Sequence, residues 1–138
     1  MTRAVVDTNI LIRALIKPHG TVGPILTRLR ANDYALVYSQ PLLDELLEKL
    51  ALARIRQKYA LDDQAIEDTL ALLALRGELV HPTRAIKVCR DPDDNAVIEA
   101  AVVGTAEYIV TGDDDLRVLK KFETVKIVTP RVFLATLE

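Results

Sequence analysis

Residues 90–102 read Arg90-Asp91-Pro92-Asp93-Asp94-Asn95-Ala96-Val97-Ile98-Glu99-Ala100-Ala101-Val102, which places a cluster of carboxylates at the start of an apolar helix. At about 100° per residue, Asp94 shares a helical face with Ile98 and Ala101, so the pattern predicts its carboxylate on the buried side. A buried carboxylate without a partner costs several kcal/mol. Asp94 is therefore expected either to cap the helix or to bind a cation.

The same helix start also has a structural interpretation. Asp91 is the expected N-cap and Pro92 suits the first turn, where its missing N–H is not needed. Asp93 fits either role, structural or functional.

Short apolar segments alternate with helical segments along the rest of the chain. Strands are predicted at residues 3–6, 35–38, 79–80, 107–111 and 125–128. Helices are predicted at 10–16, from 24 to about 30, in a leucine-rich segment from 42, from 62 or 63 to 76, around 116–119 and at 131–137. Such alternation is typical of an α/β three-layer sandwich, with a central parallel sheet of about five strands flanked by helices. The length of 138 residues predicts a single domain over residues 1–138.

The composition limits the kinds of function. Aromatic residues are only 4% of the chain and Trp is absent, which argues against a surface built on base stacking. The formal charge is −2, so any phosphate binding must be local or metal-mediated. Cys89 is the single cysteine, which excludes an internal disulfide and favours a reducing compartment. No apolar run is long enough for a membrane span and no signal-peptide pattern is present, so we expect a cytoplasmic protein without membrane association.

Acidic residues are predicted to meet at one edge of this sheet. Asp7 follows the first strand, Asp113 and Asp115 follow the fourth, and Asp94 begins the helix after the third. Right-handed crossovers place helix starts near the carboxyl ends of strands, where ligands bind in such sheets. Clustered carboxylates without His or Cys select hard cations such as Mg²⁺ or Mn²⁺.

Each acid has a structural alternative. Asp7 could cap the following helix, and the acids after Gly112 could form a turn and a helix cap. A fourth acid is expected from the leucine-rich helix, but the helical periodicity leaves Glu45 and Asp44 equally placed, and a solvated helix face would explain both. The structural interpretations are individually reasonable, yet all of them would have to converge on one sheet edge by chance.

Polar and basic residues near the acids suggest supporting roles. Thr8, Asn9 and Thr111 could hydrogen-bond the acids or a metal-bound water. Three basic residues flank the acidic segments and are candidates for phosphate binding: Arg13, Arg117 and Lys120. Scattered surface bases more often serve solubility, which is the alternative for all three.

Four segments, residues 5–12, 39–46, 90–95 and 108–116, resemble the motifs of PIN-domain nucleases and appear in the family's order. The resemblance covers essentially the whole chain. The chain looks most like the toxin components of prokaryotic toxin–antitoxin systems, related to the VapC-like ribonucleases.

The resemblance implies a flavodoxin-like sheet and a Mg²⁺- or Mn²⁺-dependent endoribonuclease that cleaves single-stranded RNA. It implies four catalytic and metal-binding acids, Asp7, Glu45, Asp94 and Asp113, with Asp115 as an auxiliary metal ligand. A cognate antitoxin protein and a homodimer are the implied partners. The chain departs from the family at Asp114, where the family often has Lys or Arg, and this adds negative charge beside the site.

Two other functions remain open. One is a catalytically weak PIN module that acts through protein contacts. The other is a phosphoacceptor receiver domain, which is disfavoured because Lys126 lies within the last predicted strand and the middle strands do not end in Asp.

Overall fold

The computed structural model describes residues 1–138 and has a mixed six-stranded sheet at its centre. The strands are β1 (Arg3–Val6), β2 (Ala35–Ser39), β3 (Gly77–Val80), β4 (Tyr108–Val110), β5 (Lys121–Phe122) and β6 (Val125–Val128). Their order is β3-β2-β1-β4-β6-β5. Every neighbouring pair is parallel except β5 and β6. The predicted α/β architecture, with helices covering a central sheet, is therefore confirmed.

The sheet differs from the prediction in two respects. It has six strands rather than about five, because β5 pairs antiparallel with β6 across a tight turn in which Glu123 has a φ of 53°. A two-residue strand is too short to show an alternating pattern. The five parallel strands run β3-β2-β1-β4-β6, whereas a flavodoxin-like sheet would begin 2-1-3. The order differs because the connection after β2 continues outward to β3 instead of crossing back over β1.

Eight helices connect and flank these strands. They are α1 (Thr8–Ile16), α2 (Pro24–Arg30), α3 (Gln40–Leu50), α4 (Ala53–Lys58), α5 (Asp63–Arg76), α6 (Pro92–Val103), α7 (Asp114–Arg117) and α8 (Pro130–Thr136). The leucine-rich segment forms α3 and ends at Leu50, since Leu52 adopts an extended conformation before α4 begins. None of these helices combines the length and the apolar character that a membrane crossing requires.

Two hydrophobic cores lie on opposite faces of the sheet. The period-2 alternation of β1 sends Val5 into a cluster of 14 buried residues and Ala4 into another of 17. Ile98 of α6 packs in the smaller cluster, while Phe133 of α8 packs in the larger one. The apolar face of α6 therefore anchors it against the sheet, and its acidic N-terminus lies at the sheet's edge.

The strand order reverses between β1 and β4. From β1 the chain continues to β2 and β3 on one side, and β4 and β6 lie on the other. The two strands are in direct register, with Val6 opposite Val110. In open α/β sheets, ligands bind beyond the carboxyl ends of the strands at this kind of switch point. The backbone N–H of Asp7 bonds to the Val110 carbonyl at 2.9 Å, so Asp7 lies at that point.

Candidate metal centre

Asp7 connects the end of β1 to the start of α1. Its Oδ1 accepts a hydrogen bond from the Asn9 backbone N–H at 3.2 Å, which caps α1. Its Oδ2 accepts a hydrogen bond from the Thr111 hydroxyl at 2.7 Å. Asp7 is thus a helix cap, as the structural alternative predicted, and it also belongs to a polar network that reaches the neighbouring strand.

The end of β4 carries the next acids of this network. The Thr111 hydroxyl accepts a hydrogen bond from the Asp113 backbone N–H at 3.0 Å. Asp113 Oδ1 in turn accepts from the backbone N–H of Asp115 at 2.9 Å and caps α7. Leu116 is fully buried and anchors this short helix against the core. The local fold therefore fixes the backbone of all three residues.

The N-terminus of α6 brings in Asp94. Asp91 caps this helix by accepting from the Asp93 backbone N–H at 3.0 Å, and Pro92 occupies the first turn, as predicted. Asp93 is exposed. Asp94 was predicted on the buried side, but it is only half-buried, because it lies at the open edge of the sheet, one turn before the buried Ile98.

Three carboxylates come together at this edge. One oxygen from each of Asp94, Asp113 and Asp115 lies within 4.8 Å of the others. Burial, together with repulsion from Asp113, Asp91, Asp7 and Asp115, raises the pKa of Asp94 to about 6. An all-oxygen donor set whose charges repel one another fits a hard divalent cation.

Glu45 of α3 faces the same region, held by two contacts. Its Oε2 accepts from the Thr8 hydroxyl at 3.3 Å, and its Oε1 accepts from Lys49 Nζ at 2.8 Å. Asp44 is exposed and bonds instead to Gln40 at 2.8 Å. Glu45 lines a cleft at this edge of the sheet and Asp44 does not line it, although Glu45 lies outside the cluster of three carboxylates.

This cleft, which we call the acidic cleft, has a volume of about 320 Å³, and Asp94 and Asp113 of the cluster line it. Its lining residues are Asp7, Asn9, Glu45, Glu48, Lys49, Asp91, Asp93, Asp94, Val97 and Asp113. Seven of these ten are acidic, and Lys49 is the only base. Sequence reasoning missed Glu48 and Lys49, although the spacing of four residues between Glu45 and Lys49 on one helix was an available signal.

Of the three predicted phosphate-binding residues, only Arg13 lines a cleft beside the acids. Arg13 lines a second cleft of about 260 Å³, which adjoins the first through the shared residues Asp7, Asn9 and Asp113. Arg117 pairs with Asp114 at 3.6 Å, and neither Arg117 nor Lys120 lines these clefts.

Two side chains near the cluster change its charge balance. Arg90 contacts both carboxylate oxygens of Asp115 at 3.2 Å, a pairing that sequence reasoning did not identify. Asp114 is 96% exposed and lies outside the cluster, so its added negative charge is solvated.

The Cys89 thiol also lies near these acids. Burial and the nearby acids, Asp94 foremost, raise the pKa of this thiol, which keeps it protonated and unreactive.

Comparison with known proteins agrees with this geometry. Residues 3–115 match the family model described as "PIN domain". An uncharacterized protein of Methanocaldococcus jannaschii is 32% identical over an alignment of 144 positions, which covers 99% of this chain and 92% of that protein. PIN domains are generally nucleases, and they typically use divalent metal ions. Because the matched region spans most of the chain and includes every acid of the cluster, the chain belongs to the PIN-domain family.

Proposed function

We propose that this protein is a Mg²⁺- or Mn²⁺-dependent endoribonuclease that hydrolyses phosphodiester bonds of single-stranded RNA. The observation that carries the proposal is the approach of Asp94, Asp113 and Asp115 to within 4.8 Å at the switch point of a PIN-domain sheet. Three mutually repelling carboxylates are costly unless a cation neutralises them. These carboxylates also lie at the edge of the sheet where ligands bind, which favours a metal site over a chance grouping.

The proposed metal-binding acids are Asp7, Glu45, Asp94 and Asp113, with Asp115 as an auxiliary ligand. A bound divalent cation supplies a water of lowered pKa and stabilises charge on the scissile phosphate. The protein's own contribution is positioning. Thr111 holds Asp7 Oδ2, and the backbone N–H of Asp115 holds Asp113 Oδ1, so each carboxylate keeps its orientation and still has free lone pairs.

Substrate positioning is assigned to Arg13. It lines the cleft beside Asp7 and Asp113 and makes no ion pair within the protein, so its guanidinium is free to bind a phosphate. The open, polar clefts suit an extended RNA strand. Few aromatic residues are available to stack on bases, so recognition would rest on the phosphate backbone.

The proposed biological role is that of a cytoplasmic toxin in a toxin–antitoxin pair, with an antitoxin protein as partner and a homodimer as the assembly. Support comes from the order of the four motifs in residues 5–12, 39–46, 90–95 and 108–116. A small open reading frame adjacent to the gene, whose product binds and inhibits the nuclease, would test this role. An RNA-processing enzyme would have no such neighbour.

A catalytically weak module that acts through protein contacts is the second candidate. It is favoured by the internal cations, since Lys49 already pairs with Glu45 and Arg90 with Asp115. Such pairs reduce the demand of the acids for a metal ion.

An RNA cleavage assay separates the two candidates. Purified protein is incubated with single-stranded RNA of mixed sequence in Mn²⁺ or in EDTA. The nuclease cleaves only with Mn²⁺, and Asp94→Asn does not cleave. The exposed acid Glu67 on α5 provides a matched control, since Glu67→Gln removes one charge from a residue that lines neither cleft and should leave cleavage intact. Wild-type protein that leaves the RNA uncut in Mn²⁺ would favour the weak module.

A further inference from the structure

Lys49 is the one basic side chain that lines the acidic cleft. Its ammonium donates to Glu45 Oε1 at 2.8 Å and to Asn9 Oδ1 at 2.9 Å. The side chain is 34% exposed, so it is neither buried in the core nor free in solvent. A cation is therefore held at a defined position on the wall of an otherwise negative cleft.

The contacts of Lys49 tie it to the residues around Asp7. Asn9 belongs to the first turn of α1, and its backbone N–H bonds to the Asp7 carboxylate. Glu45 is itself fixed from its other oxygen by the Thr8 hydroxyl at 3.3 Å. An ammonium group has three N–H donors, and only two are used here. One donor remains for a group that enters the cleft.

We propose that Lys49 contacts a phosphate oxygen of the substrate strand, with Glu45 and Asn9 holding its ammonium in place. The inference rests on the nuclease function proposed above. Seven carboxylates line the acidic cleft and would repel a phosphodiester, so a strand needs a local positive charge to approach the metal ligands. Lysine binds phosphate as a compact point charge.

The position of Arg13 extends this arrangement to a strand path. Arg13 lines the adjoining cleft, and the two clefts share a wall formed by Asp7, Asn9 and Asp113. An RNA strand that crosses this wall would contact Lys49 in one cleft and Arg13 in the other. The phosphate between them then lies over Asp7 and Asp113, which are proposed metal ligands.

A purely structural role for Lys49 makes a different prediction. The pair with Glu45 has the spacing of four residues that is common on exposed helix faces, where it contributes only a few tenths of a kcal/mol. If Lys49 only neutralises Glu45, Lys49→Met weakens RNA binding only by freeing the charge of Glu45, so adding Glu45→Gln restores the RNA affinity and the salt slope of the parent protein. Salt dependence counts phosphate contacts directly.

The test measures RNA binding by the Asp94→Asn protein, in which cleavage is disabled. Fluorescence anisotropy of a fluorescein-labelled single-stranded RNA of mixed sequence is recorded at constant Mn²⁺ over a range of salt concentrations. Adding Lys49→Met should weaken binding about three- to tenfold and reduce the slope of log K against log salt by about 0.7, the value for one phosphate contact on a single strand. Lys49→Arg keeps the charge and should retain the slope.

Two controls make the result decisive. Lys126→Met removes an exposed lysine from β6, away from both clefts, and should leave binding unchanged. Melting curves verify that each variant is folded. If Lys49→Met, alone or together with Glu45→Gln, binds with the same affinity and slope as its parent, the inference is wrong and Lys49 is only a counter-ion. If wild-type protein neither binds nor cleaves this RNA in Mn²⁺, the nuclease proposal itself fails.

Discussion

The Thr111 hydroxyl donates a hydrogen bond to Asp7 Oδ2 at 2.7 Å and accepts one from the Asp113 backbone N–H at 3.0 Å. A single side chain thus couples the acids that follow β1 and β4. Thr111 is fully buried, so water cannot replace these bonds. The relative placement of the two acids therefore depends on this hydroxyl.

Replacing Thr111 with valine preserves the shape of the side chain and removes the hydroxyl. The Asp113 N–H and one oxygen of Asp7 lose their partner, which should lower the free energy of unfolding by about 1–3 kcal/mol. Loss of the group that orients a metal ligand should also weaken Mn²⁺ binding by about tenfold or more. Urea unfolding and calorimetric Mn²⁺ titration measure the two effects. Thr111→Ser keeps the hydroxyl and should restore most of the metal affinity; a valine variant with wild-type affinity would refute the orienting role.

Neutralising Asp94 should raise the stability of the metal-free protein and abolish its activity. Asp94→Asn removes a charge that is disfavoured by burial and by the repulsion of four neighbouring acids, so the metal-free protein should gain about 1–2 kcal/mol at neutral pH, allowing for solvent screening. For a chain of this size, that corresponds to a rise of about 3–8 °C in the melting temperature. RNA cleavage should be lost. Glu67→Gln is the control for a general charge effect, and a melting temperature for Asp94→Asn at or below the wild-type value would contradict the predicted repulsion.

The raised pKa of Asp94 sets the direction of the pH dependence. An unfolded chain has an Asp pKa of about 3.9, whereas the folded protein raises the pKa of Asp94 to about 6. Between these values the folded state binds more protons, so this group's contribution to stability decreases as pH rises from about 4 to about 6 and is constant above. Asp94→Asn lacks this contribution. The stability difference between variant and wild type, measured by urea unfolding, should therefore grow from pH 4 to pH 6; a difference that is independent of pH would show that Asp94 titrates normally.

Much of the fold could be predicted because the buried strands are short runs of apolar residues that are easily recognised in the sequence. The run Ala4-Val5-Val6 alternates between two cores, and comparable apolar runs mark β2, β4 and β6. The start of α6 followed from capping chemistry at Asp91, which accepts a hydrogen bond from a backbone N–H of the first turn. The hairpin strand β5 could not be predicted in this way, because a strand of two residues is too short to show a periodic pattern.

The candidate site was predictable where backbone topology decides it. The carboxyl ends of β1 and β4 are neighbours in any sheet of this order, so Asp7 and Asp113 had to lie close together. The partners of long side chains were not predictable in this way. Lys49 contacts Asn9, forty residues away in the sequence, and Arg90 contacts Asp115, 25 residues away. Such contacts depend on rotamers and on the separation of helices, which a linear pattern does not encode.

The contact between Arg90 and Asp115 leads to a last prediction, about metal affinity. Arg90 is 85% exposed, so the pair is weak, yet the guanidinium places a positive charge beside the cluster of Asp94, Asp113 and Asp115. Arg90→Gln removes a cation that repels the metal and frees both oxygens of Asp115. Mn²⁺ should bind about two- to fivefold more tightly, with the larger gain at low ionic strength. Arg90→Lys keeps the charge and should bind like wild type. Weaker Mn²⁺ binding by Arg90→Gln in calorimetric titration would mean that Arg90 holds Asp115 in its ligating position instead of competing for it.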